Sequence, residues 1–204
     1  MCALAAALSP ASHGYYGWTC SGNTPTVSVC KWRGVYCMHY SDAVYEIYLG
    51  YAGLRGTLPT ALGSLTSLNF LYLYNNSLTG TIPSELGKLT SLYNLYLNNN
   101  KLRGTIPSEL GSMSQLISLD LDTNSLTGVV PSSLCEAGSL STLQLYNNPL
   151  QCYASCLSSM YYLYAGAIPS CSASPAAAPV QSPSSPPTTG TTVQGTVYIL
   201  LRIT

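Results

Sequence analysis

The sequence predicts an α/β repeat fold, a solenoid in which stacked copies of one unit share a single hydrophobic core. The phrase NNSLTGTIPSELGKLTSL at residues 75–92 returns as NNKLRGTIPSELGSMSQL at residues 99–116, which sets a period of 24 residues. Each period contains a short alternation of apolar and polar residues, which is typical of a strand with one buried face. Cysteines cluster at both ends of a cysteine-free middle, as expected for an array closed by two disulfide-tied caps.

The period holds over residues 44–150 without an insertion, as four full repeats and a fifth that is cut short at about Leu150. Its invariant columns are Leu71, Leu95, Leu119 and Leu143; Asn76, Asn100, Asn124 and Asn148; Gly80, Gly104 and Gly128; and Pro83, Pro107 and Pro131. One period earlier the pattern persists, and only Ala52 breaks the asparagine column. Self-similarity at a fixed period of roughly 20–50 residues indicates a solenoid or a related array.

Each unit carries residues that suit one coil of a solenoid. The alternation at residues 71–73 predicts a strand with its leucines inward and its tyrosine outward. The buried amide of Asn76 needs hydrogen-bond partners, which neighbouring backbone groups can supply. Gly80 permits backbone angles that other residues resist, and Pro83, which lacks an N–H, suits a turn or an edge. One unit buries too little apolar surface to offset the entropy of ordering it, so the copies must stack.

The eight cysteines favour disulfides over a zinc site. Cys2 stands apart, and the others form two groups, which are Cys20, Cys30 and Cys37, then Cys135, Cys152, Cys156 and Cys171. Zinc sites prefer pairs of ligands that are closer in sequence, with a second pair nearby, so we expect no metal. The second group allows three pairings, between which the sequence does not choose, and the partner of Cys20 is left open.

The two ends of the chain differ in composition from the array. Residues 1–12 are apolar and small, which predicts a signal peptide remnant, and residues 13–43 form the N-terminal cysteine cap. Residues 151–171 form the C-terminal cap, and residues 172–192 are a linker rich in Pro, Ser and Thr. Residues 193–204 are an apolar end that is too short to cross a bilayer. We favour truncation there, so a membrane tether is expected only if a longer segment follows Thr204.

The outward positions of the strands predict a ligand-binding face. The first column contains Glu46, Phe70, Asn94, Ser118 and Thr142; the second contains Tyr48, Tyr72, Tyr96, Asp120 and Gln144; the third contains Gly50, Tyr74, Asn98, Asp122 and Tyr146. Aromatic residues occupy the first three repeats, where they can stack on a peptide or a sugar, and Asp120 and Asp122 can accept hydrogen bonds or hold a cationic group. The alternative is that these tyrosines are merely solvated and that the two aspartates form a solvated polar edge.

Composition and motifs exclude several functions. Charged residues make up only 7% of the chain, with seven acids and seven bases, which gives no basic surface for nucleic acid. The hydrolase and phosphate-binding motifs are missing, and both histidines, His13 and His39, lie outside the array. We therefore expect neither an enzyme nor a cofactor. Asn75-Asn76-Ser77 is a glycosylation sequon at a strand exit, so Asn75 is a candidate acceptor in a secreted protein.

The repeat consensus L-x-x-L-x-L-x-x-N-x-L-x-G-x-I-P-x-x-L-G-x-L resembles the plant-type extracellular leucine-rich repeat family. CKWRGVYC at residues 30–37 is similar to the Cys-x-Trp-x-Gly-Val-x-Cys motif of that family's N-terminal cap. The resemblance implies a parallel sheet on the concave face, irregular or 3-10 segments on the convex face, a disulfide between Cys30 and Cys37, and Trp32 covering the open end of the first repeat.

The same resemblance implies a non-enzymatic recognition module, since the family includes receptor-like proteins, receptor kinase ectodomains and polygalacturonase inhibitors. We expect an extracellular protein, secreted or at the cell surface, that binds a protein, peptide or glycan. One alternative is an inhibitor of a secreted hydrolase. Another is a structural or ice-binding surface protein, because Thr57, Thr81 and Thr105 recur at the period before Val129 interrupts them.

Overall fold

The computed structural model describes residues 27–171 together with Cys2, Ala6, Cys20, Ser21, Thr24 and Pro25. The predicted linker and apolar end therefore lie outside the described residues, as does most of the predicted signal peptide remnant. In chain order the strands of the described part are β1 (Cys20–Ser21), β2 (Thr24–Pro25), β3 (Val35–Cys37), β4 (Val44–Tyr48), β5 (Arg55–Thr57), β6 (Phe70–Tyr72), β7 (Ser77–Thr79), β8 (Asn94–Tyr96), β9 (Arg103–Gly104), β10 (Ser118–Asp120), β11 (Ser125–Leu126), β12 (Gly128–Val130), β13 (Thr142–Gln144), β14 (Leu150–Tyr153) and β15 (Tyr162–Tyr164).

One sheet runs the length of the described array, in the order β15-β13-β10-β8-β6-β4-β3. Its strands pair in parallel except β3, which is antiparallel to β4. The register equals the sequence period, since Leu71 pairs with Leu95 and Leu119 pairs with both Leu95 and Leu143. The predicted solenoid with a parallel sheet is confirmed. The sheet also gains β15, which lies in the segment predicted as the C-terminal cap.

The opposite side of each coil is built from 3-10 helices. They span Thr60–Ser64, Ser84–Lys88, Ser108–Ser112, Ser132–Cys135 and Ser155–Ser159. The first four each begin after a proline of the repeat, whose extended backbone suits the residue that precedes a helix. This arrangement confirms the predicted 3-10 segments on the convex side. Among the described residues, no helix is long and apolar enough to span a membrane.

These helices stack closely because a glycine column removes the side chain at the contact. A Cβ atom placed on Gly87 would lie 2.3 Å from the carbonyl oxygen of Glu109 in the next coil. Gly63 and Gly111 meet the next coil in the same way. Cys135 occupies the next position of this column, and it is bonded to Cys156 in the last described helix. A disulfide therefore connects the last two helices at the repeat position where a glycine allows the other helices to approach each other closely.

The core is a continuous stack of leucines between the sheet and the convex side. Leu71, Leu95, Leu119 and Leu143 have no exposed surface, as expected for the inward positions of the strands. At the N-terminal end Trp32 is 1% exposed and joins the same hydrophobic cluster. The bulky indole thus covers the first coil, whose apolar end would otherwise face water.

The asparagine column forms a hydrogen-bonded ladder along the array. The Nδ2 atom of Asn76 donates to the carbonyl oxygen of Leu73 in its own coil at 2.9 Å and to that of Leu49 in the preceding coil at 2.8 Å. Its Oδ1 atom accepts from the backbone N–H of Leu54, also in the preceding coil, at 2.9 Å. Asn100, Asn124 and Asn148 repeat the pattern. Each asparagine therefore ties its coil to the coil before it, which explains why Ala52 is tolerated in the first.

Four disulfides close the two ends of the described array. The N-terminal pairs are Cys2–Cys20 and Cys30–Cys37, and the C-terminal pairs are Cys135–Cys156 and Cys152–Cys171. The structure thus selects one of the three C-terminal pairings and gives Cys20 a partner. That partner lies in the predicted signal peptide remnant, so Cys2 takes part in the cap.

Candidate ligand-binding face

The concave face consists of the outward side chains of the seven-stranded sheet and of the residues that directly follow its parallel strands. The register places Glu46 beside Phe70 and Tyr48 beside Tyr72, and it places Tyr96 beside Asp120. The first two columns are therefore continuous across neighbouring coils. The third column is also continuous, because backbone hydrogen bonds link the residues that come after each strand. For example, the N–H of Asn99, the residue after Asn98, donates to the carbonyl of Asp122.

Five aromatic side chains, Tyr48, Phe70, Tyr72, Tyr74 and Tyr96, form a contiguous group that we name the tyrosine patch. The ring centroids of Tyr72 and Tyr96 are 5.0 Å apart, and those of Tyr48 and Tyr72 are 5.7 Å apart. Phe70 stacks on Tyr72 at 6.1 Å with an interplanar angle of 16°. These contacts hold the rings in a fixed arrangement, so little side-chain entropy is left to lose when a ligand binds.

Hydroxyl groups fix the polar rim of the tyrosine patch. The hydroxyls of Tyr48 and Tyr74 are 2.6 Å apart, and this hydrogen bond raises the pKa of Tyr74 to about 12. Burial raises the pKa of Tyr72, whose hydroxyl accepts a 3.0 Å hydrogen bond from the Asn94 side chain. Tyr72 and Tyr74 are therefore neutral across the physiological range, and their hydroxyls can accept or donate hydrogen bonds.

The interpretation of Asp120 and Asp122 as a solvated polar edge is wrong. Asp120 is only 7% exposed and Asp122 only 2% exposed. Burial and, to a smaller extent, the charge of Asp122 raise the pKa of Asp120 to about 7. The backbone N–H of Asp122 donates to Oδ1 of Asp120 at 3.2 Å, which offsets part of this effect.

The neighbours of the two aspartates supply few hydrogen-bond donors. Tyr146, in the next coil, donates its hydroxyl hydrogen to Asp122, and this bond raises the pKa of Tyr146 to about 12. Gln144 lies beside Asp120 in the sheet register. Oδ1 of Asp122 and Oδ1 of Asn98 are buried and have no hydrogen-bond partner. We name Asn98, Asp120 and Asp122 the acidic cluster.

Sequence reasoning missed the aromatic residues at the two ends of the sheet. Tyr36 in β3 pairs with Glu46 and is 48% exposed. Tyr162 and Tyr164 in β15 continue the first two columns, with rings 6.5 Å apart and almost parallel. β15 begins 20 residues after β13 instead of 24, so the period did not find it. Its Tyr-Leu-Tyr alternation, which matches residues 72–74, is the available signal.

Asn75 adopts a left-handed backbone conformation with φ of 53°, as do Tyr51, Asn99, Thr123 and Asn147 at the same position of the other coils. Asparagine tolerates this conformation better than most residues. The paired asparagines of the repeat therefore have separate roles, the first in the turn and the second in the ladder. Asn75 is half-buried, and its glycosylation remains a prediction.

The threonines that recur at the period lie on the flank of the coils, away from the concave face. Thr57, Thr81 and Thr105 are exposed and line a shallow depression of about 900 Å³, together with prolines and glutamates of the repeat. The methyl groups of these threonines lie against Gly80, Gly104 and Gly128. Val129, which occupies the same position in the next coil, is 47% exposed.

Comparison with known proteins agrees with this architecture. Leucine rich repeat profiles match residues 67–89 and 90–150. The ectodomain of BIR2 from Arabidopsis thaliana is 33% identical, with a TM-score of 0.64 over 73% of this chain and 78% of that chain. The chain therefore belongs to the plant-type extracellular leucine-rich repeat family. None of the curated proteins matches the chain in sequence.

Two further structures are similar over the array. A chain of the BIR3–SERK2 complex from Arabidopsis thaliana is 29% identical, with a TM-score of 0.72 over 84% of this chain and 96% of that chain. PEPR1, in its complex with AtPEP1, is 34% identical, with a TM-score of 0.65 over 72% of this chain. The chain spans only 21% of the length of PEPR1.

Proposed function

We propose that this protein is a non-catalytic extracellular recognition module that binds an extended peptide, or an extended segment of a protein, on its concave face. The observation that carries the proposal is the tyrosine patch, a preordered group of half-exposed aromatic rings on an otherwise rigid sheet. Aromatic side chains of this kind dominate binding energies because they bury a large area and also offer a hydrogen bond.

The dimensions of the face suit such a ligand. The six parallel strands of the sheet are β4, β6, β8, β10, β13 and β15. At a spacing of about 4.8 Å they span about 24 Å. An extended chain rises about 3.3–3.6 Å per residue, so about seven residues cross the face. The backbone of the inner strands is already hydrogen-bonded to neighbouring strands, so side chains must provide the recognition.

Two related structures support a macromolecular ligand, since BIR3 is in complex with SERK2 and PEPR1 is in complex with AtPEP1. The four disulfides of the described residues support an extracellular location, because disulfides persist in oxidising compartments.

The test is the selection of peptide ligands from a random heptapeptide display library on the intact chain. Selected peptides are then measured by fluorescence anisotropy against the double variant Tyr72→Ala, Tyr74→Ala. We expect binding to weaken by at least about thirtyfold, since both residues lie at the centre of the proposed contact. Tyr40→Ala is the matched control, because Tyr40 is fully exposed in the N-terminal cap. Unchanged affinity in a double variant that melts cooperatively would show that the ligand binds elsewhere.

A further inference from the structure

The acidic cluster lies within the concave face, directly beside the tyrosine patch. Tyr96 of the patch pairs in register with Asp120, and the backbone carbonyl of Asp122 is bonded to the residue after Asn98. The cluster is therefore continuous with the surface proposed to hold the ligand.

The cluster contains acceptor atoms without donors. Oδ1 of Asp122 is buried in a side chain that is 2% exposed, and neither it nor Oδ1 of Asn98 has a hydrogen-bond partner. A buried acceptor without a partner costs about 1–3 kcal/mol, and more when it is charged. Native proteins keep few such groups, and each one calls for an explanation.

The face also lacks a cation to balance these carboxylates. The three outward columns, extended through β15, contain Glu46, Phe70, Asn94, Ser118, Thr142 and Tyr162; Tyr48, Tyr72, Tyr96, Asp120, Gln144 and Tyr164; and Gly50, Tyr74, Asn98, Asp122, Tyr146 and Gly166. None of these residues is lysine or arginine. A proton on Asp120 takes the place of the missing cation below about pH 7.

We propose that the acidic cluster is a subsite for a basic side chain of the bound peptide, with the guanidinium group of arginine as its best guest. This inference rests on the proposed function, and it names the chemistry of the ligand. A guanidinium group offers five N–H donors in a plane, enough for both carboxylates and for Oδ1 of Asn98. The rings of Tyr96 and Tyr146 flank the cluster, and an arginine can stack on such rings.

Other guests suit the cluster less well. The hydroxyl groups of a sugar can donate hydrogen bonds, but they leave the negative charge of the carboxylates uncompensated. Calcium takes about six to eight oxygen ligands. Within the described residues, no group of three or more His, Cys, Asp or Glu side chains is placed to hold a metal ion.

When a cationic guest binds, the proton on Asp120 is released. The titratable groups around Asp120 are Asp122 in its own coil, Tyr96 in the preceding coil and Tyr146 in the next coil. The hydrogen bond to Asp122 keeps Tyr146 neutral, so Asp120 is the group that releases a proton when the guest binds. In the proposed complex the guest takes the place of the Tyr146 hydroxyl as the donor to Asp122.

The sheet spacing also fixes where the basic residue lies in the peptide. β6 and β10 are two strand spacings apart, which is about 10 Å. An extended peptide covers this distance in about three residues. The basic side chain is therefore expected about three positions from the residue that contacts Tyr72.

The experiment begins with heptapeptides selected from the display library on the wild-type chain. The strongest peptide is synthesised twice, once with arginine and once with citrulline, which has nearly the same shape but no charge. Affinities of both are measured at pH 5.5 and pH 7.5 for the wild type, Asp122→Asn and Glu136→Gln. Glu136 is exposed and lies outside the three columns, so its variant changes net charge equally and serves as the matched control.

We expect the wild type and Glu136→Gln to prefer arginine by about thirtyfold, in the range of a buried charge-assisted hydrogen bond. The preference should nearly disappear in Asp122→Asn. The comparison of the arginine and citrulline peptides uses the wild-type protein, so it remains valid even if Asp122→Asn folds poorly.

Four outcomes would contradict the proposed subsite. If the affinity of the selected peptides depends on Tyr72 and Tyr74 but is the same with citrulline as with arginine, the result supports peptide recognition and contradicts the basic subsite. If the arginine preference survives in Asp122→Asn, the cation binds elsewhere. If calcium chloride raises the melting temperature of the wild type but not of Asp122→Asn, the cluster is a metal site. A selection that enriches no peptide would contradict both the subsite and the proposed function.

Discussion

Asp120 and Asp122 show how strongly a residue's role depends on its position in the stack. Asp120 occupies an outward position of β10 and Asp122 lies two residues beyond it in the third column, where a polar side chain is expected to face water. Here both side chains are buried, and burial raises the pKa of Asp120 to about 7. The same carboxylates that suit a cationic ligand therefore destabilise the free protein, which is a common cost of a preformed site.

The pH dependence of stability tests this burial. The unfolded chain releases the Asp120 proton near pH 4, whereas the folded protein holds it up to about pH 7. Between these values the folded state binds more protons, so the free energy of unfolding must fall as the pH rises. Asp120→Asn cannot ionise and should lack this part of the fall.

Urea denaturation of the wild type and Asp120→Asn at several values between pH 4 and pH 8 measures the difference. The stability of the wild type relative to the variant should decline across the window and level off above it. Parallel curves for the two proteins would show that Asp120 titrates in the folded state as it does in water.

At the scale of elements, the 3-10 helices of successive coils depend on glycine for their close approach. The carbonyl oxygen of Glu109 lies where a Cβ atom on Gly87 would have to be, and a backbone atom cannot move aside as a flexible side chain can. The spacing of the convex side must match that of the sheet opposite, so the stack cannot relax on one side alone.

Gly87→Ala should therefore destabilise the protein by about 1–3 kcal/mol, the usual cost of overpacking. Gly138→Ala is the matched control, since a Cβ atom there meets no atom within 4 Å and Gly138 does not have a positive φ. Thermal unfolding of the two variants compares them directly. An equal change in melting temperature would mean that the helices can separate without cost.

At the scale of the whole molecule, each coil is held by its neighbours. The partly buried asparagine ladder supplies hydrogen bonds from each coil to backbone carbonyls of the coil before it. Trp32 covers the N-terminal end, and the C-terminal disulfides fasten the last coil. Stability is therefore shared between caps and interfaces, as is general for solenoids.

Asn100→Ala in the middle of the array tests this sharing. The change removes donors to Leu73 and Leu97 and an acceptor for Leu78, so it leaves several backbone groups without partners. We expect a loss of about 2–4 kcal/mol in the free energy of unfolding, measured by urea denaturation. Lys101→Ala, at the exposed neighbouring position, should change it by less than about 0.5 kcal/mol. Similar losses in both variants would argue against the ladder as a link between coils.

Much of the fold and part of the candidate site follow from the sequence alone. A strict period of 24 residues determines which leucines face inward, which residues form each outward column, and where the asparagine ladder runs, because every coil repeats the same contacts with the next. The tyrosine patch follows from the same pattern, since the period relates Tyr48, Tyr72 and Tyr96, and Phe70 and Tyr74 lie two residues to either side of Tyr72 on the outward face.

The tertiary structure decided what the period does not control. The pairing of Cys2 with Cys20 and of Cys152 with Cys171, and the additional strand β15, arise where the repeat ends and contacts no longer recur at a fixed spacing. The burial of Asp120 and Asp122 depends on the side chains that neighbouring coils place around them, such as Tyr146, and these side chains differ from coil to coil. A repeating pattern specifies the backbone, whereas the environment of a side chain depends on residues that do not repeat.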